Sequence, residues 1–364
     1  MATKDEALLN YERAYHLLHV TRIAKRMPVL AVVCATLVVF LSLDVLISYA
    51  SKNDYGTYDY TSSSVVAYVE FMKIAISLSL LLYKPWPEIR ESVVAVNWRI
   101  FLLSALPAAL YAINNNLVFT ILRHLEPAIF QVVSNFKIIS TALLMRVFLR
   151  RRFTQLHYLT LFLLIIVISW TQYSPSSSRR EGGSIGFVLA LLYTFNSSLA
   201  SVYTEYVLKR HSHISVHVMN TQLYFWGVAF NLAYWLLVDR DPVRSNFFSG
   251  WTPVVWLLVL TMSCSGLLIS SVMRFADNLV KIFCSSISVV LCIYVSSLLF
   301  GIETTMQHLF GALSVSAVII LYNQLPPASP HRGKGGMVKE ELELGVSGEE
   351  SEAGDVFASE ADTF

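Results

Sequence analysis

The chain has 364 residues, 55% of them apolar and only 14% charged, with a formal net charge of +2. A soluble domain carries about a quarter charged residues, so a water-exposed globular fold is excluded. From Pro28 to Asn323 long apolar runs alternate with short polar joints, a pattern that calls for hydrocarbon as the solvent.

Residues 1–27 are too charged for a cleaved signal peptide. Leu8, Tyr15, Leu18 and Ile23 stand there among basic residues, which predicts an interfacial helix. The first apolar run then acts as an uncleaved insertion signal. At about 20 apolar residues per crossing, residues 28–323 divide into ten spans: 28–50, 62–83, 99–121, 125–147, 153–172, 184–208, 214–238, 252–274, 276–300 and 302–323. The expected fold is an all-α polytopic bundle in a single membrane domain. Residues 324–364 form a tail with nine acidic residues from Glu340 onward and no Lys or Arg there; its composition predicts disorder. With both termini cytosolic, seventeen bases lie on the cytosolic side and six on the other, the asymmetry that orients membrane proteins.

Four bases remain inside or at the lips of spans, Lys73, Lys137, Arg274 and Lys281, together with Asp44, Glu70, Glu205 and Asp277. A charge at a span centre costs about 2.5–3.5 kcal/mol. These residues must therefore face one another or a wet cavity. Asn135-Phe136-Lys137 in the fourth span and Asn278-Leu279-Val280-Lys281 in the ninth occupy the same ordinal place when the chain is divided five plus five. An odd number of spans per half inverts the second half, giving two inverted five-helix repeats with a site at their interface.

Two lysines from opposing halves suit a phosphate or pyrophosphate; the competing reading is an internal pair with Glu205 or Asp277. Glu70 and Lys73, three apart on one helix face, either neutralise each other structurally or gate a cavity. Asn114, Asn115 and Asn116 follow Tyr111 in the third span, and three successive amides cover too wide an arc to be interhelical glue alone. One or two of them are expected to line a cavity and read a base or ribose edge. Asn220, Gln222 and Tyr224 make a similar patch in the seventh span. The four cysteines lie in apolar runs and supply no disulfide or zinc framework. The sequence contains no Walker loop, no zinc-protease helix motif and no hydrolase elbow. No metal, cofactor or enzymatic activity is expected.

Four stretches, Glu70-Phe71-Met72-Lys73, residues 111–119, residues 131–144 and residues 266–286, make the chain similar to the nucleotide-sugar transporter family of the drug/metabolite transporter superfamily. The branch it resembles contains CMP-sialic acid, UDP-galactose and UDP-N-acetylglucosamine carriers. The resemblance spans about residues 30–323. It implies ten spans, cytosolic termini and antiport of a nucleotide sugar against a nucleoside monophosphate; the expected location is the Golgi membrane, the absence of a terminal dilysine disfavouring the endoplasmic reticulum. It also implies that Lys137 and Lys281 hold the phosphate, and that Lys73, Tyr111, Asn115, Gln131, Asn220 and Tyr224 line the ligand cavity. Glu70, Glu205 and Asp277 are the structural or gating acids. The chain departs from the family at Ser265, where a glycine is usual, and at Trp226, where a small residue is usual; an indole bordering the sugar would reshape that pocket. The expected partners are the bilayer, the nucleotide sugar and the monophosphate, with homo-oligomerisation left open and no nucleic acid. Other expectations in play are a carrier of another phosphorylated metabolite on the same fold and a non-transporting scaffold.

Overall fold

The computed structural model describes residues 28–52, 58–125, 127–172, 184–239, 246–300 and 306–325. The expected interfacial helix within residues 1–27 and the acidic tail lie outside these residues. Every regular element among the described residues is helical.

Helix α1 (Pro28–Ala50) is apolar almost throughout, and only 17% of its most apolar stretch is buried. Such a surface is tolerable only in lipid. Helices α2 (Ser62–Leu82), α9 (Ser184–Arg210), α11 (Pro253–Phe275), α12 (Asn278–Phe300) and α13 (Met306–Gln324) have the same character. So does the nearly continuous pair α4 (Trp98–Leu103) and α5 (Ala105–His124). Seven helical stretches are thus long and apolar enough to cross a membrane. The helix α8 (Gln155–Gln172) is apolar but shorter. The expected seventh span is α10 (Val216–Tyr234), which carries Asn220, Gln222 and Asn231 buried, and closes in a π-helical turn, Trp235–Asp239.

The expected fourth span is broken in its middle, into α6 (Pro127–Ser134) and α7 (Lys137–Phe148). Phe136 N bonds to Val133 O and Ile138 N to Asn135 O. These tighter three-residue bonds interrupt the α-helical ladder. The break makes Lys137 the first residue of a new helix. A further helix, α3 (Trp86–Val94), fills the joint after α2, where the sequence reading had only a connection. Its Ile89 and Ser92 are buried, and Ser92 Oγ accepts from Ser215 N at 3.3 Å.

Helix ends show why the elements begin where they do. Thr252 Oγ1 accepts from Val255 N ahead of Pro253, and Asn97 Oδ1 accepts from Ile100 N at 3.0 Å. Both are N-caps that satisfy otherwise orphan donors. Arg274 closes the α9 end by donating to the carbonyls of Leu208, His211, Ser212 and Ile214.

In the bundle α2 lies along α10 and α11, α5 along α9 and α10, α7 along α9, and α8 along α13. Helix α1 joins α11 and α12 through Leu37, Val272 and Cys284, and through Ser42 against Ser288.

Candidate functional site

Two clusters of charge face the interior, and two tyrosines stand between them. The first cluster is held by α2. Lys73 Nζ lies 2.6 Å from Glu70 Oε1, with both side chains largely buried. The same ammonium sits 4.4 Å from the centre of the Tyr224 ring, a cation–π arrangement strengthened by desolvation. Two glycines make room for this pair. A Cβ at Gly227 on α10 would stand 2.9 Å from Glu70 Oε2, and one at Gly266 on α11 would stand 2.8 Å from Lys73 Cδ. The Tyr224 hydroxyl lies 3.1 Å from Ser270 Oγ and 3.5 Å from Gly266 O.

Tyr111, from α5, neighbours Tyr224 and Glu70, and its hydroxyl reaches Thr204 and Ser201 on α9. Ser201 belongs to the second cluster. It accepts from Lys281 Nζ at 2.5 Å and donates to Asn278 Oδ1 at 2.7 Å. Lys137, at the start of α7, lies close enough for its charge to act on Lys281.

The acids expected to neutralise these lysines are engaged elsewhere. Glu205, fully buried, accepts from Lys209 Nζ at 2.6 Å and from Asn278 N at 3.0 Å. Asp277 accepts from Val280 N at 3.0 Å and pairs with Arg151. Both carboxylates therefore sit at the N-terminus of α12, where its partial positive charge and unpaired N–H groups favour anions. Glu205 acts on Lys281 through space. Among the described residues, no ion pair joins either Lys137 or Lys281 to a carboxylate.

The asparagine run divides by helical phase. Asn114 Oδ1 accepts from Asn196 Nδ2 at 2.9 Å, which ties α5 to α9, and Asn116 bonds back to Ala112 O. Asn115 is half-buried. Asn220 is buried with its Oδ1 unpartnered; beside Thr204, Ser104 and Met219 it lines a small cavity between α5, α9 and α10. The Gln131 side chain lies outside the described residues.

Trp226 does not border this interior. Two residues beyond Tyr224 it turns roughly 200° around the helix. Its indole donates to Phe101 O at 3.0 Å and stacks on Phe230. Ser201 and Thr204 were not singled out from sequence. The signal was a buried small-polar stripe on α9 at helical spacing, Thr194, Ser198, Ser201 and Glu205.

The family model described as "Nucleotide-sugar transporter" matches residues 24–323. CMP-sialic acid transporter 1 of rice (Oryza sativa subsp. japonica) is 29% identical, covering 83% of this chain and 98% of that protein. The probable UDP-sugar transporter protein SLC35A4 of Xenopus tropicalis is 32% identical, covering 73% and 84% respectively. A solved crystal structure, 13% identical, superposes with a TM-score of 0.58 over 81% of this chain and 96% of its own, a likeness of fold alone.

Proposed function

The chain belongs to the nucleotide-sugar transporter family, and from that premise we propose that it exchanges a CMP- or UDP-linked sugar for the matching nucleoside monophosphate across the Golgi membrane. The two bases come from the named relatives, one a CMP-sialic acid transporter and one a probable UDP-sugar transporter. In this reading Lys137 and Lys281 hold the phosphate, Tyr111, Asn115, Gln131 and Asn220 line the nucleotide cavity, and Lys73 and Tyr224 border the sugar.

The observation that carries the reading is the lysine pair. Two half-buried ammonium groups stand within range of each other's charge, and the nearby acids Glu205 and Asp277 cap α12 and bind Lys209 and Arg151 instead. A scaffold gains nothing from holding such charges in a membrane. An empty cationic cavity resists reorientation; a bound dianion lowers that penalty, which is a physical reason for obligatory exchange.

Ten spans in two inverted repeats complete the proposal. Number the spans so that α4–α5 is the third, α6–α7 the fourth, and α9 to α13 the sixth to tenth. Adding five to each number then exchanges the observed neighbours among themselves. The third-with-sixth contact, α5 on α9, answers the first-with-eighth, α1 on α11. The fourth-with-sixth, α7 on α9, answers the first-with-ninth, α1 on α12. The third-with-seventh, α5 on α10, answers the second-with-eighth, α2 on α11. This correspondence supports a pseudo-two-fold axis passing between Lys137 and Lys281. Cytosolic termini rest on the asymmetry of bases, and Golgi residence on the family resemblance.

The test is reconstitution. Liposomes preloaded with CMP or UMP should take up CMP-sialic acid or a UDP-sugar, and empty liposomes should not. Equal uptake by loaded and empty liposomes would reject exchange.

A further inference from the structure

Asp44 is the one charged residue of α1 and plays no part in the clusters above. Its carboxyl faces α11, within hydrogen-bond reach of Thr261 and Ser265, and its Oδ1 is buried with no partner. Neither hydroxyl can donate to the carboxylate without giving up a bond to its own helix. Thr261 Oγ1 donates to Leu258 O at 3.0 Å and Ser265 Oγ donates to Met262 O at 3.1 Å. With those helix bonds kept, what they offer Asp44 is lone pairs. An ionised carboxylate has only lone pairs to offer in return, whereas a carboxylic acid supplies the missing donor.

Among the described residues, no ion pair joins Asp44 to a cation. Cys264 is the titratable neighbour on α11. On α12 the neighbours of α1 are Ser288, Cys284 and Val280. Lys73, which meets α11 at Gly266, is paired with Glu70. A charge left there would be unpaired in a span.

We propose that Asp44 is a proton-binding site in the seam between α1 and α11, occupied when the seam is closed. The proton bridges the carboxyl to Thr261 or Ser265; its loss leaves an anion facing hydroxyl lone pairs and loosens α1 from the bundle. The inference does not depend on which nucleotide is carried. The neutral form is present at low pH and is lost as pH rises, and its stabilising effect is lost with it.

Two measurements test it. Melting of the purified protein should be followed between roughly pH 5.5 and roughly pH 9 for wild type and Asp44→Asn, whose amide keeps a donor at every pH. The two should melt together at the acidic end, with the variant ahead by a few degrees at the alkaline end; parallel profiles would overturn the proposal. The second measurement needs only wild type. An apolar carbodiimide adds to protonated carboxyls embedded in a membrane, and the adduct is mapped by mass spectrometry. Labelling of Asp44 that falls as pH rises is expected. Absence of labelling, or labelling indifferent to pH, would overturn the proposal even if the variant failed to fold.

Discussion

Lys281 Nζ donates to Ser201 Oγ at 2.5 Å, and the Ser201 hydroxyl in turn donates a hydrogen bond to Asn278 Oδ1 at 2.7 Å. The ammonium is thereby oriented by a neutral hydroxyl, and among the described residues no carboxylate pairs with it directly. Ser201→Ala should lower nucleoside monophosphate affinity about tenfold or more, the lower end of the scale of one hydrogen bond to a charged group. The ligand-free protein should lose about 1–3 kcal/mol as well, because Asn278 Oδ1 is left buried without its donor, and Ser201→Thr should restore both. Loss of stability with unchanged affinity would make Ser201 a packing residue only.

Asp277 caps α12 and pairs with Arg151. Asp277→Ala should cost about 1 kcal/mol for the cap. The Arg151 side chain is 40% exposed, so the ion pair adds at most about 1 kcal/mol more. Monophosphate affinity should hold, because Asp277 does not neutralise either lysine. A strong gain in affinity would reveal that it does.

Gly266 lies against Lys73. Gly266→Ala should destabilise by about 1–3 kcal/mol, the range for inserting a methyl into a packed site, by pushing Lys73 off the Tyr224 ring. In the proposed arrangement it weakens the nucleotide sugar more than the monophosphate. Competition binding with both ligands checks the split; equal weakening would place Lys73 beside the phosphate instead.

Several of these relationships could be read from the chain and several could not. The Glu70–Lys73 pair follows from three-residue spacing on a helix, and Lys137 and Lys281 from the cost of charge in a span. The partners of Glu205 and Asp277 did not follow. Lys209 lies four residues after Glu205 but just beyond the expected sixth span, 184–208, and Arg151 is distant in sequence. The break at Asn135-Phe136 is equally silent, since neither residue breaks a helix by type. Trp226 departs from the family's pattern, yet its helical phase carries it to Phe101.

That position gives a further prediction. Trp226→Phe leaves Phe101 O without its indole donor and should lower stability by about 1 kcal/mol, with the affinity ratio of monophosphate to nucleotide sugar unchanged. An altered ratio would return Trp226 to the sugar pocket.

The most direct measurement is CMP and UMP affinity, alongside ligand-free melting temperature, for Lys137→Met and Lys281→Met. Methionine keeps a long apolar stem and removes the charge. Each variant should lose about 1.5–3 kcal/mol of monophosphate binding, or roughly tenfold to 150-fold, while the ligand-free protein melts at or above the wild-type temperature because two like charges no longer share the site. Variants that melt markedly lower but bind CMP and UMP normally would contradict the phosphate assignment.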